Sequence, residues 1–205
     1  DGFADYIKTL GEAADVEINS YKDVIAALLK RCDYFNEVGC KVSDQSFEYV
    51  PFTVSSDDEI DAVFKKAMNG ESISETESDG YRTAVLLALG AKYHELGWAM
   101  EIHIGAIRNN STRMFKAIGA DTGFDSVGDS DIAKKLSRFL DALDVKNELP
   151  KTILFNLNDK DNTVLATMLG NFQSSEAQSK IQFGPAWWFL DTMDGMTSQM
   201  KSLAN

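Results

Sequence analysis

Segments with helical spacing alternate with short strand-like segments from residue 20 to the end of the sequence, and this alternation limits the folds available to the chain. SYKDVIAALLKRCDYFNEVG (20–39) spaces Val24, Ala27, Leu28, Leu29, Cys32 and Phe35 at i, i+3/i+4, and Gly39 stands where such a helix stops. CKVSDQSF (40–47) follows as a strand. Ser56 with Glu59, and Ser74 with Glu77, form capping-box pairs that open helices predicted over 55–70 and from Ser74 to Gly97. WAMEIHIG (98–105) is the next strand, 131–145 a helix, KTILFNLN (151–158) a strand, and NTVLATMLG (162–170) a helix. KIQFGPAWWF (180–189) and 191–204 give a last strand and helix. Residues 1–20 are mixed, with Gly11 as a breaker, and 1–38 form a leading helical segment. Strict alternation implies an α/β protein whose parallel strands are joined by helical crossovers.

The strand faces narrow this further, because successive strand side chains point to opposite faces. In WAMEIHI, Met100, Ile102 and Ile104 form one apolar register, and Glu101 and His103 the other. In TILFNLN, Ile153, Phe155 and Leu157 share a face, while Asn156 and Asn158 share the other with Thr152 and Leu154. Cys40 and Val42 oppose Lys41, Ser43 and Gln45; Ile181 and Phe183 oppose Gln182. A doubly wound sheet, helix-covered on both faces, needs both registers apolar. A (β/α)8 TIM-type barrel needs an apolar register only under its helices, and polar groups at the strands' C-terminal ends then face the mouth, where barrel active sites lie. A full barrel takes eight strands and about 250 residues. The expectation is therefore a single partial barrel domain over 1–205: four parallel strands with their helices in 39–205, and a helical insertion near 55–75.

The formal charge of −12 makes the chain a poor counterion for phosphate, which argues against nucleic acid and anionic membrane surfaces as partners. The longest apolar run, AVLLALGA (84–91), falls well short of the ~20 residues of a membrane span. The spacing of Cys32 and Cys40 is not that of a zinc or redox pair, so two reduced thiols are expected. With no secretory signal in view, a cytoplasmic protein is expected. The sequence begins at Asp1 and stops at Asn205 within a helical pattern, so a piece of a longer chain is expected.

Few residues can carry chemistry. His103, near the end of its strand in the polar register, suits a hydrogen-bonded core position, a metal ligand or an acid/base group. No HxH or HExxH accompanies it, and His94, in KYHELG, reads as a surface residue of a helix. Arg108, Asn109 and Asn110 follow the strand directly. Arginine is a bidentate partner for carboxylates, and the alternative is a solvated arginine beside capping asparagines. Trp187 and Trp188 would face opposite ways on a strand, one lining the mouth and one packing under a helix. Aromatic faces bind sugars as well as filling cores. Asp44, ending the first strand, is either catalytic or a turn cap.

GCKVSD (39–44), HIGAIRNN (103–110), GFDS (123–126), LPKTILFNLN (149–158), LGNFQ (169–173) and QFGPAWWF (182–189) together resemble the uronate isomerase family of the amidohydrolase superfamily. The resemblance runs in order from about Gly39 onward and is diffuse before it. It implies a bacterial-type aldose–ketose isomerase: D-glucuronate to D-fructuronate and D-galacturonate to D-tagaturonate, through a cis-enediol. It also implies a divalent metal, commonly zinc, with His103 as ligand or catalytic group, Arg108 on the uronate carboxylate, and Asn109, Asn110, Trp187 and Trp188 around the substrate. By the same resemblance the chain spans about strands four to seven. The family's HxH after strand one and its aspartate at strand eight fall outside it, and Gln45 stands where the family often has histidine.

The resulting expectation is a fragment of a uronate isomerase, inactive alone and prone to self-associate through its open sheet edges. Two other functions remain open. One is a metal-dependent hydrolase of the same superfamily, for which Lys41 is the only inward lysine. The other is a non-catalytic binding or assembly module.

Overall fold

The computed structural model describes residues 2–204; Asp1 and Asn205, on which part of the fragment expectation rests, lie outside the described residues. The chain divides into two compact units built from interleaved segments.

The first unit comprises Asp1–Lys41, Pro51–Trp98 and Ala142–Pro150. It holds four helices, α1 (Phe3–Ala14), α2 (Tyr21–Glu37), α3 (Asp57–Met68) and α4 (Glu75–Glu95). Ser20, Ser56 and Ser74 each accept from the backbone N–H three residues on, and Asp23, Glu59 and Glu77 reach back to the capping residue. Each box thus satisfies amides that a helix leaves without intrahelical partners. Inside, Ile7, Leu10, Val24, Ala27, Ile60 and Phe64 are buried together. Phe3 meets Phe64 and Tyr81 edge-on, with centroids 6.2 and 5.9 Å apart, and Tyr21 meets Tyr81 at 5.9 Å. Burial pushes the Tyr81 phenol above its ordinary range.

Two expectations are corrected in this unit. Gly11 does not break α1; it lies inside the helix, where an added Cβ would come 2.8 Å from the Val16 carbonyl as the chain turns back. A glycine that makes room for a close backbone looks, in sequence, like one that ends a helix. His94 is not a plain surface residue either, since its Nδ1 sits 3.1 Å from the Leu149 carbonyl. Neither Cys32 nor Cys40 is joined in a disulfide.

The second unit comprises Val42–Val50, Ala99–Asp141 and Lys151–Asn205. Its centre is a parallel sheet of β1 (Val42–Phe47), β2 (Ala99–Ile104), β5 (Lys151–Asn156) and β6 (Ile181–Phe183), side by side in that order. After β2 come β3 (Ala106–Ile107), α5 (Thr112–Ile118) and β4 (Ser126–Val127); β3 and β4 pair antiparallel. Helix α6 (Ala133–Asp144) precedes β5, α7 (Asn162–Leu169) precedes β6, and α8 (Met193–Leu203) follows it. The four parallel strands with intervening helices are the fold expected; α5 and the β3/β4 pair were not anticipated.

The register fixes the faces. Ser43, Gln45 and Phe47 align with Met100, Ile102 and Ile104, and these with Thr152, Leu154 and Asn156. On that face Met100, Ile102, Ile104, Thr152, Leu154, Asn156 and Ile181 are buried. Val42, Asp44 and Ser46 share the opposite, open face with Ala99, Glu101, His103, Ile153 and Phe155. The rule that polar registers face the mouth therefore holds for β2 and β6 and fails for β1 and β5. Asn156 explains β5: its Nδ2 donates to the Asn158 carbonyl at 2.7 Å and Asn162 Oδ1 at 2.9 Å, and its Oδ1 accepts from Gln199 Nε2 at 3.3 Å. A buried amide so satisfied avoids the roughly 1–3 kcal/mol penalty of an unpaired polar group, and periodicity cannot reveal those partners.

The strand predicted over 180–189 ends at Phe183. Pro185 has no N–H for a ladder, and the chain then winds into a 3-10 turn over Trp188–Leu190.

Candidate functional site

The open face of the sheet carries the chemistry. His103 stands on β2 between Phe155 of β5 and Ser46 of β1, and Glu101 lies two residues earlier, beside Asp44. The His103 ring stacks on Phe155 with centroids 4.2 Å apart and planes 7° from parallel, and Trp187 meets it edge-on at 4.5 Å. A Cβ on Gly184 would overlap the Phe155 ring, so this glycine makes the room that Phe155 occupies. His103 Nδ1 lies 2.7 Å from Asp44 Oδ1; the imidazole is 12 % exposed and the carboxylate 61 %. An ionised carboxylate can only accept, so Nδ1 is the donor in this bond, and in the neutral ring Nε2 is then the nitrogen with the lone pair.

Asp44, Glu101 and His103 each offer a ligand atom within 4.8 Å of the other two. One imidazole nitrogen with carboxylate oxygens is a donor set suited to a divalent first-row ion, so these residues fit a metal. Among the described residues this is the one such cluster found. His103 was legible as a candidate from its register; Asp44 and Glu101 were visible beside it, but their convergence needed the β1/β2 pairing.

A second group lies on the loop after β2. The Arg108 guanidinium sits over the Trp188 ring, 4.7 Å from its centroid, and Nη1 is 3.3 Å from both Asp121 Oδ1 and Asp125 Oδ2. Asn109 adopts a left-handed φ of 55°, and its N–H donates to Asp125 Oδ1 at 2.7 Å. The Asn110 amide is used within its own loop, with Nδ2 3.1 Å from the Ile107 carbonyl and 3.2 Å from the Phe124 carbonyl. The structure thus joins His103 with Trp187, and Arg108 with Trp188, while both asparagines hold the loop.

The tryptophans depart from the sequence expectation. Trp187 is turned onto His103 on the open face, while Trp188, at φ 49° and 37 % exposed, stacks on Phe189 at 4.7 Å and under Arg108. The alternation argument fails because these residues are not in a strand. Gln45 lies in the buried register, opposite the His103 face. Lys41 lies just before β1 and is exposed.

Four parallel strands, their helices and a strand-end histidine with two carboxylates define part of a (β/α)8-type barrel protein with a metal-competent face. A family model described as glucuronate isomerase matches residues 1–205, and the chain belongs to that family. Uronate isomerases of Salmonella paratyphi B and Salmonella typhimurium are each 52% identical to it over 205 residues, which is 100% of this chain and 44% of the relative. The uronate isomerase of Thermotoga maritima superposes with a TM-score of 0.90 at 28% identity, covering 100% of this chain and 44% of that one. The glucuronate isomerase of Caulobacter crescentus gives 0.84 at 24% identity over 97% of this chain and 40% of its own, a likeness of fold. The chain thus spans less than half the length of the relatives it matches. No helix among the described residues is long and apolar enough to cross a membrane.

Proposed function

We propose that this chain is the central part of a uronate isomerase, an intramolecular oxidoreductase that interconverts aldose and ketose uronates in the cytoplasm. The observation that carries the proposal is the open sheet face, where His103, Asp44 and Glu101 converge beside an arginine-bearing loop. D-glucuronate and D-galacturonate are the substrates proposed, through a cis-enediol in which a proton moves from C2 to C1.

Each residue has a task in this reading. Asp44 holds the His103 ring through Nδ1, so that Nε2 is available to take or hold a proton or to ligate. Phe155 and Trp187 fix the ring plane and exclude water from its faces. Arg108 meets the uronate carboxylate; a guanidinium has five N–H donors, and both of its loop contacts use Nη1. Trp188 backs that guanidinium, and Asn109 and Asn110 shape the rim. In a metal-bound state, with the Asp44–Nδ1 hydrogen bond given up, Asp44, Glu101 and His103 would together hold a divalent ion, zinc by preference, which would polarise and orient substrate oxygens.

The partner strands that would close such a barrel are not in this sequence, so the 205-residue chain alone should not turn over substrate, and its open sheet edges should favour self-association. Incubating it with D-glucuronate and zinc and following ketose formation tests this. No turnover is expected; steady turnover would show a complete site and contradict the proposal.

A further inference from the structure

We infer that Asp125 is a positioning residue for Arg108, setting the guanidinium that meets the substrate carboxylate. The inference rests on the proposed role of Arg108 and extends it to a residue that touches no substrate. The Asp125 carboxylate is only 6 % exposed, yet it sits in a loop. Its Oδ1 accepts the Asn109 N–H at 2.7 Å, and its Oδ2 lies 3.3 Å from Arg108 Nη1. One carboxylate therefore holds both the guanidinium and the backbone immediately after it.

That backbone needs holding. Asn109 is in the left-handed region, which an L-residue enters at some cost and asparagine tolerates best. The loop is tied on either side: the Asn110 N–H donates to the Phe124 carbonyl at 2.7 Å, and the Gly128 N–H to the Gly105 carbonyl at 2.7 Å. Asp121 provides an internal contrast. It lies at the same 3.3 Å from Arg108 Nη1 but is 81 % exposed, where water screens an ion pair to little value. A buried partner is screened far less and adds a backbone hydrogen bond that fixes its own geometry. With its face on the Trp188 ring and Asp125 on Nη1, the guanidinium is held on two sides while its other N–H groups remain for a second carboxylate.

The test is a double-mutant cycle in the full-length isomerase that carries this chain, with kcat and KM for the uronate measured separately. Arg108→Ala is expected to raise KM by about tenfold or more, the scale of a charge-assisted hydrogen bond. Asp125→Asn should raise KM about fivefold with kcat within about threefold, but add less than about twofold in the Arg108→Ala background. Asp121→Asn should shift KM by less than about twofold. A merely structural Asp125 would lower the active fraction, and so apparent kcat, with KM unchanged. An unchanged KM in Asp125→Asn, or an equal rise in both backgrounds, overturns the inference while the reading of Arg108 stands. An unchanged KM in Arg108→Ala overturns that reading and the inference with it. Should Asp125→Asn not fold, Asp125→Glu enters the same cycle; if it also fails to fold, Asp125 is structural and the inference falls.

Discussion

The helical unit and the sheet unit use the same kinds of residue for opposite ends. In the first, carboxylates are spent at helix N-termini and aromatic rings close on one another: Glu77 caps α4 and binds Lys66 at 2.5 Å, and Phe3, Phe64 and Tyr81 interlock. In the second, the carboxylates Asp44 and Glu101 converge on a histidine, and the rings of Phe155 and Trp187 brace that histidine rather than a core. The first arrangement pairs its carboxylates with helix amides and a lysine. The second leaves donor atoms together on an open face, which stability alone would not favour and which chemistry requires.

The contrast can be broken most strongly at its two phenylalanines. Phe64→Ala empties a buried site and should cost about 3–5 kcal/mol in urea unfolding of the chain. Phe155→Ala, on the open face, should cost about 1–2 kcal/mol, since less of its surface leaves water on folding. Equal losses would mean that the open face is as structural as the helical core. Gly184→Ala sharpens the same point. The added methyl presses on the Phe155 ring, and overpacking of this kind costs about 1–3 kcal/mol. With only two histidines in the chain, imidazole NMR signals report the rest: the His103 resonances should move and those of His94 should not. Movement of both, or of neither, would contradict the stacking role.

Smaller effects belong to the caps. Ser74→Ala should lower stability by about 1 kcal/mol, with no change at His103. Glu77 is held down from its ordinary 4.5 to about 2, first by Lys66 and then by the Ser74 amide and hydroxyl. A carboxyl depressed on folding adds stability that is complete above its unfolded value and is lost as pH falls from about 4.5 toward about 2. Glu77→Gln should therefore lower Tm most above about pH 4.5 and least near pH 2, which flattens the acid limb of a Tm–pH curve. An unaltered acid limb would remove this contact from the account.

Much of the fold was legible because periodicity and capping are local. The Ser20–Asp23 box was hidden only by its aspartate; Ser56–Glu59 and Ser74–Glu77 announced their helices. The strand faces were half legible. β2 reads correctly since its buried side is purely apolar, whereas β5 buries Thr152 and Asn156, and Asn156 finds partners on other elements. The site divides in the same way. His103 and Arg108 stand out by residue type and place. Asp125, Phe155 and Gly184 act through partners 17, 52 and 29 residues away in sequence, respectively, and only folding brings each pair together.

The central claim is that the open sheet face of this chain is part of an isomerase active site. A chimera tests it most directly, with these 205 residues replacing the matched 44% of the Salmonella paratyphi B uronate isomerase. The chimera should interconvert uronates, and its His103→Ala variant should lose at least about a hundredfold in kcat/KM, the scale of a positioned acid/base group. A folded His103→Ala chimera that kept the parent rate would contradict the account.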